Sequence, residues 1–284
     1  MTDGSETFLD SAAQRHAPAN QQVRLLSLAP ALTELCFALE LNDRLVGRTE
    51  FCRRPEGKLA QIPAVGTPEI LQLDRIERLA PTHALVNLDD TPKSLISALK
   101  ERGIDVVSVR LTRPDDNFWL FGLLAGIFGA GPSADALARR FEAALARVKM
   151  AVRRRQVRRV LYLVDKNPYR TAGPDSYAAS LLKLVNLQVI AGAVETEPSL
   201  APSGRRYPVI EIGDSLLLSV DAVLLSGAPD AFSRADRRAF VEAYGLDRDK
   251  VLRLEDAMDG WYGARAIGAL EDLLSLRERI DSLD

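Results

Sequence analysis

The sequence predicts an α/β protein: two α/β lobes with mainly parallel sheets, bridged by one long rigid helix. Three observations carry this expectation. Between Gly131 and Arg159, Leu137, Phe141, Leu145, Val148 and Val152 recur at spacings of 4, 4, 3 and 4, an apolar stripe of helical period. On either side, short apolar runs alternate with amphipathic segments, the pattern of parallel strands covered by helices on both faces. The length of 284 residues, with 47% hydrophobic and 27% charged side chains, is enough for two lobes of ordinary size. The expected divisions are a leader over 1–22, a first lobe over 23–130, the bridging helix over 131–158 and a second lobe over 159–284.

The elements follow in order. Residues 1–22 are polar, with Asp3, Glu6 and Asp10 where a secretory signal carries basic residues, and read as a disordered leader. That composition points to the cytoplasm, or to the periplasm if translation begins elsewhere. Val23–Leu28 is a buried-strand run ended by Pro30. Ala31–Leu41 has helical period, Leu45–Gly47 is a second strand, and Glu50–Pro55 is a loop. Ile62–Val65 is extended and Gly66-Thr67-Pro68 a turn. Leu73, Ile76 and Leu79 mark a short helix that Pro81 stops. Ala84–Val86 and Asp105–Val109 are strands flanking a helix over Leu95–Arg102.

Phe118–Phe128 is apolar nearly all round and predicts a buried helix. Gly122, Gly126, Gly129 and Gly131 lie in it or close it, whereas a phosphate-binding fingerprint opens a helix, so they read as close packing. Gly131-Pro132-Ser133 then supplies a break and a cap for the long helix. Its core over 133–156 is roughly 36 Å long at 1.5 Å per residue. Val160–Val164 is a strand, Asn167–Pro174 a turn-rich loop, and Asp175 a cap for a helix over Tyr177–Val185. Ala222–Leu225 and Val251–Leu254 are strands, while Arg234–Tyr244 and Ala264–Ile280 are helices. The second half thus echoes the alternation of the first.

Composition and motifs remove several function classes. The net charge of −2 provides no global field for nucleic acid or an anionic membrane. The basic cluster Arg147, Lys149, Arg153, Arg154, Arg155, Arg158 and Arg159 reads as a solvated helix face; a nucleic-acid grip there would show steep salt dependence. Cys36 and Cys52 are too few for a disulfide framework, though one bridge between them is open. His16 and His83 argue against a His-built metal site, and His83 reads as a packed residue. Ser180 and Lys183 match a nucleophile-pair spacing but lack an oxyanion turn, and no Gly-x-Ser-x-Gly, Walker loop or His-Glu-x-x-His occurs. What remains is a set of aromatic and polar residues in strand-following loops: Phe51, Cys52, Thr67, Asn87, Tyr169, Tyr207, Trp261 and Tyr262. Aromatic walls with a few polar groups suit a large, partly apolar ligand held in a cleft between the lobes.

The ordered set Leu26–Leu35, Leu45–Gly47, Phe51–Pro55 and Leu73–Ile76, followed by Asn167–Gly173, Tyr207-Pro208 and Trp261-Tyr262, resembles the helical-backbone (class III) substrate-binding proteins of ABC importers. These are receptors for cobalamin, siderophores and haem, and the likeness is greatest to the cobalamin branch. The resemblance runs from Val23 to Ile280. It implies corrin-walling aromatics at Phe51, Tyr207 and Trp261, whereas two positions held by tryptophan in that branch carry Pro68 and Asn87. The usual Gly-Gly after the second-lobe helix stands as Asn186-Leu187. It also implies permease docking through one surface acid per lobe, here Asp74 and Asp214, the latter beside the aligned Gly213. The expectation is a monomeric, non-enzymatic binding protein with no intrinsic cofactor. It would hold a cobalamin-like corrinoid, ferric siderophore or haem, partnered by an ABC permease and not by nucleic acid or inserted membrane. A cytosolic enzyme or cofactor-handling factor reusing the fold is the alternative.

Overall fold

Short apolar runs bounded by turn residues become the central strands of both sheets. The computed structural model describes residues 6–67, 70–191, 206–228 and 231–283. Two units are distinguished: Met1–Leu111, Asp115–Phe141 and Tyr262–Ala266 form one, and Thr112–Pro114, Glu142–Trp261 and Ile267–Asp284 the other.

The first unit begins with an antiparallel ribbon, β1 (Phe8–Leu9) and β2 (Arg15–His16). There follow β3 (Leu25–Ser27), α1 (Pro30–Ala38), β4 (Leu45–Arg48), a second ribbon of β5 (Gly66–Thr67) and β6 (Ile70–Leu71), and α2 (Leu73–Leu79). Then come β7 (His83–Asn87), α3 (Lys93–Glu101), β8 (Asp105–Val109), α4 (Asp116–Phe128) and α5 (Gly131–Val152). Its main sheet has the order β4-β3-β7-β8 with every pair parallel. Leu26, Ala84, Val86 and Val106 pack with Ile76, Leu99 and Ile104 of the covering segments. Strands buried on both faces need apolar residues at consecutive positions, which is why they were legible as runs.

The second unit comprises β9 (Arg158–Asp165), β10 (Arg170–Thr171), α6 (Tyr177–Leu184), β11 (Leu187–Val189) and α7 (Asp214–Leu218). It continues with β12 (Ala222–Leu225), α8 (Arg234–Tyr244), β13 (Val251–Arg253) and α9 (Arg265–Asp281). Strands β11 and β12 flank β9 in parallel, β13 lies beyond β12, and β10 returns antiparallel to the end of β9. The parallel order β11-β9-β12-β13 repeats that of the first unit. The echo in the sequence is therefore an echo of topology.

Four expectations are corrected. The segment expected as a disordered leader is ordered and partly packed: Asp10 and His16 are 5% and 1% exposed, and Ser11 N–H donates to Ser108 O at 2.9 Å. Its polar side chains pair with one another and with the sheet edge, which composition does not reveal. The bridging helix, expected over 131–158, ends at Val152. There Asn186 Nδ2 donates to the carbonyls of Val152 and Arg155 at 3.1 and 2.9 Å, and Arg158 opens β9. Ser176 caps α6 in place of Asp175, its hydroxyl accepting from Ala179 N–H at 3.1 Å. Gly66 and Thr67 lie in β5 and not in a turn, while Pro68 falls outside the described residues.

The basic cluster is matched by acids of its own unit. Arg147 meets Glu271 at 3.3 Å, Arg155 meets Asp281 at 3.0 Å and Arg158 meets Asp221 at 3.6 Å.

Candidate ligand-binding site

Parallel sheets gather their functional loops at the carboxyl ends of the strands, so each unit offers its own set. In the first, the loop after β4 is folded back by Arg48, whose Nη1 donates to Thr49 O and Cys52 O, both at 3.1 Å. Glu50 N–H donates to Gly66 O at 2.9 Å, which brings the half-buried Phe51 and the Thr67 strand into one wall. Cys52 lies behind that wall, 1% exposed. Thr33 Oγ1 donates to its Sγ at 3.0 Å and Thr49 Oγ1 lies 3.2 Å away. Burial pushes the Cys52 thiol up, and Cys36 is pushed up to about 12 by burial. Both cysteines are free, and a buried neutral thiol is packing, not a ligand-ready thiolate.

Asn87, at the end of β7, is spent on its own turn. Its Nδ2 donates to Asp90 Oδ2 at 2.8 Å and its Oδ1 accepts from Asp89 N–H at 3.1 Å. Asp89 in turn meets Arg110 at 2.9 Å. Tyr262 is buried within the first unit, 3% exposed, and the next residue, Gly263, donates its N–H to Asn117 Oδ1 at 2.7 Å.

In the second unit, three phenols converge on the turn over Met258–Gly260 and on Trp261 after it. Tyr162 OH accepts from Met258 N–H at 3.2 Å, Tyr177 OH donates to Trp261 O at 3.0 Å, and Tyr207 OH donates to Asp259 Oδ1 at 2.6 Å. Arg170 Nη1 holds the Tyr207 carbonyl at 3.0 Å. Burial pushes the Tyr162 phenol far up, so it stays protonated. Trp261 is 5% exposed. Tyr207 and Trp261 thus lie at one turn of the second unit, whereas Tyr169 lies elsewhere. It stacks on Phe232 at 6.5 Å and meets Phe240 edge-on at 5.9 Å, on the core of α8. Sequence reading missed Tyr162 and Tyr177, because a phenol inside an apolar strand or helix looks like ordinary core.

The two proposed docking acids occupy equivalent places. Asp74 and Asp214 are both exposed, each in the first turn of a short helix that leads into the third strand of its sheet, β7 or β12. Among the described residues, no group of three or more His, Cys, Asp or Glu side chains is placed to hold a metal ion, and no helix is long and apolar enough to cross a membrane.

The sequence profile of one family, described as periplasmic binding protein, matches residues 25–231. No curated protein is matched by sequence. Among solved structures, the periplasmic vitamin B12 binding protein BtuF of Vibrio cholerae superposes with a TM-score of 0.74 at 18% identity, over 92% of this chain and 97% of that one. The periplasmic heme-binding protein RhuT from Roseiflexus sp. RS-1 gives 0.73 at 18% identity, covering 93% and 100%. The periplasmic heme-binding protein HutB of Vibrio cholerae gives 0.70 at 20% identity, covering 90% and 99%. These likenesses establish a shared fold.

Proposed function

The chain belongs to the periplasmic binding protein family, and on that premise we propose that it is the ligand-binding component of an ABC importer, capturing a corrinoid or another metal chelate. The observation that carries the reading is the family match over residues 25–231. It is supported by structural neighbours that bind vitamin B12 and heme. It is also supported by aromatic residues at the strand-following loops, since flat, partly apolar macrocycles stack well on such rings. Phe51 and Trp261 are the proposed stacking residues, Tyr207 and Thr67 their polar neighbours, and Asn87 and Tyr262 supports for the loops. The protein binds and releases its ligand as a monomer and performs no chemistry on it.

Asp74 and Asp214 are the proposed contacts with the permease. Each carboxylate is exposed at the start of a short helix, and each would pair with a basic residue of the partner. The family match supports a periplasmic location, the second of the two compartments expected from the sequence, over the cytoplasm suggested by the polarity of residues 1–22. Fractionation of a tagged strain checks that compartment.

The test of the ligand is incubation of purified protein with cobalamin, cobinamide, haem and ferric siderophores, read by retained absorbance and thermal shift. Retention of one or more with a raised melting temperature is expected. Retention of none overturns the metal-chelate reading.

A further inference from the structure

Both histidines of the chain meet one carboxylate, Asp105, where residues 8–16 join the sheet of the first unit. His16 lies between two acids: Nδ1 is 3.1 Å from Asp105 Oδ2 and Nε2 is 3.2 Å from Asp10 Oδ2. The side chains of His16 and Asp10 are wholly buried, and that of Asp105 is 38% exposed. His83 Nε2, on β7, stands 3.8 Å from the same Asp105 oxygen. From α3, Lys100 reaches the cluster indirectly, donating to Gln14 Oε1 at 2.6 Å while Gln14 Nε2 donates to Asp105 Oδ1 at 2.8 Å. A neutral imidazole has one N–H and can serve only one of two flanking carboxylates, whereas an imidazolium donates to both.

Asp10 is the pin that ties this charge to the backbone. Its Oδ2 accepts from Ser108 N–H on β8 at 2.9 Å, and its Oδ1 accepts from the N–H groups of Ala12 and Gln14 at 2.9 and 2.8 Å. Ser11 N–H donates to Ser108 O, and Ser11 Oγ accepts from Arg110 N–H at 2.9 Å. Strand β8 is the outermost of its sheet, so this segment covers an edge that would otherwise present open hydrogen-bonding groups.

We propose that His16 is a pH-sensitive clasp: as an imidazolium it fastens residues 8–16 across the edge of β8, and its deprotonation releases that segment and bares the edge strand. Burial opposes a charge on His16, but the hydrogen bonds to Asp10 and Asp105 outweigh it and raise its pKa above the ordinary 6.5. A raised folded value means that the stabilisation is complete below the unfolded value and is lost as pH rises through the folded one. The clasp therefore opens on the alkaline side. Burial lowers the pKa of His83, which keeps a second positive charge out of the cluster near neutrality. Although burial raises it, Asp10 is held below its ordinary value by His16 and three backbone N–H groups, so the pair survives well into acid.

Hydrogen exchange of the full chain, corrected for its intrinsic pH dependence, reads the clasp at the amides of Ser11, Ala12, Gln14 and Ser108. Their protection is expected to fall about tenfold or more between about pH 6 and about pH 9, while β12 keeps its own. In His16→Gln, protection at these amides is expected to be low at both pH values. Constant protection in the unaltered protein, or a fall of the same size in His16→Gln, overturns the clasp. A second measurement needs no variant: an NMR titration of the His16 ring is expected to give a midpoint above 6.5, and a midpoint at or below it overturns the clasp equally.

Discussion

At the scale of single residues, Trp261 is fixed twice, by its own burial and by the hydroxyl that Tyr177 donates to its carbonyl. Tyr177→Phe keeps the ring and removes that buried hydrogen bond, at a cost of about 1–3 kcal/mol. The expected outcome is a lower melting temperature together with weaker chelate binding, measured on the same samples. Trp261→Ala and Phe51→Ala are each expected to weaken chelate binding tenfold or more, about 1.4 kcal/mol. If these residues only pack, melting falls while the folded fraction binds normally. Gly227 makes a different demand. A Cβ there would overlap Leu254 O and the Glu255 carbonyl, backbone atoms that no rotamer change can move. Gly227→Ala is therefore expected to destabilise by about 1–3 kcal/mol in denaturant unfolding. Phe51, Tyr207 and Trp261 were singled out from the sequence, but the Tyr162 and Tyr177 contacts and the demand at Gly227 were not legible from residue types alone: the phenols at 162, 177 and 207 reach one turn only after β9, α6 and the 206–210 segment are in place.

Secondary elements were legible where periodicity was strong and obscure where a distant side chain decides an end. Helix α5 follows its apolar stripe: Phe141, Leu145, Val148 and Val152 are all buried. Leu145→Pro breaks that stripe within the helix interior and is expected to cost about 3 kcal/mol or more, read as a loss of melting temperature. Where α5 stops is set by Asn186, more than thirty positions away, which holds φ +56 and caps two carbonyls at once. No local pattern contains that information. The N-terminal ribbon is seated on α4 through Gly126, where a Cβ would overlap the Phe8 ring. That ring is the free end of a side chain and can swing away, so Gly126→Ala is expected to loosen residues 6–16 with little change in global melting. Hydrogen exchange of the ribbon against β7 separates the two effects.

For the molecule as a whole, acid is the more general threat. Asp236 is held well below its ordinary value by Lys166, and Asp281 is lowered by Arg277 despite some desolvation. Asp10 is lowered as well. Depressed folded values mean stability that is present above about pH 4 and lost as pH falls through the folded values. The melting temperature is therefore expected to drop steeply below about pH 4, and Asp281→Asn should flatten part of that limb. Two mainly parallel sheets were foreseeable because a strand covered on both faces has to be apolar at successive positions, whereas their shared strand order was not. Nor was the polar cover of the β8 edge, since a buried ion pair has the composition of a disordered tail.

Helix α5 runs out of the first unit at Phe141, yet Tyr262–Ala266 return to that unit from the far end of the chain. Asn117, fully buried on α4, finds the Gly263 N–H only there, and Gly263 itself, at φ +65, stands against Ala31 O. During synthesis the first sheet can assemble as soon as its four strands have left the ribosome, but the hydrogen bond between Gly263 and Asn117 waits for more than a hundred further residues to be made. The earliest-made half is in this sense the last to be finished. A nascent chain halted before Tyr262 should carry a formed but looser first unit, open to proteases around α4 until the closing segment arrives.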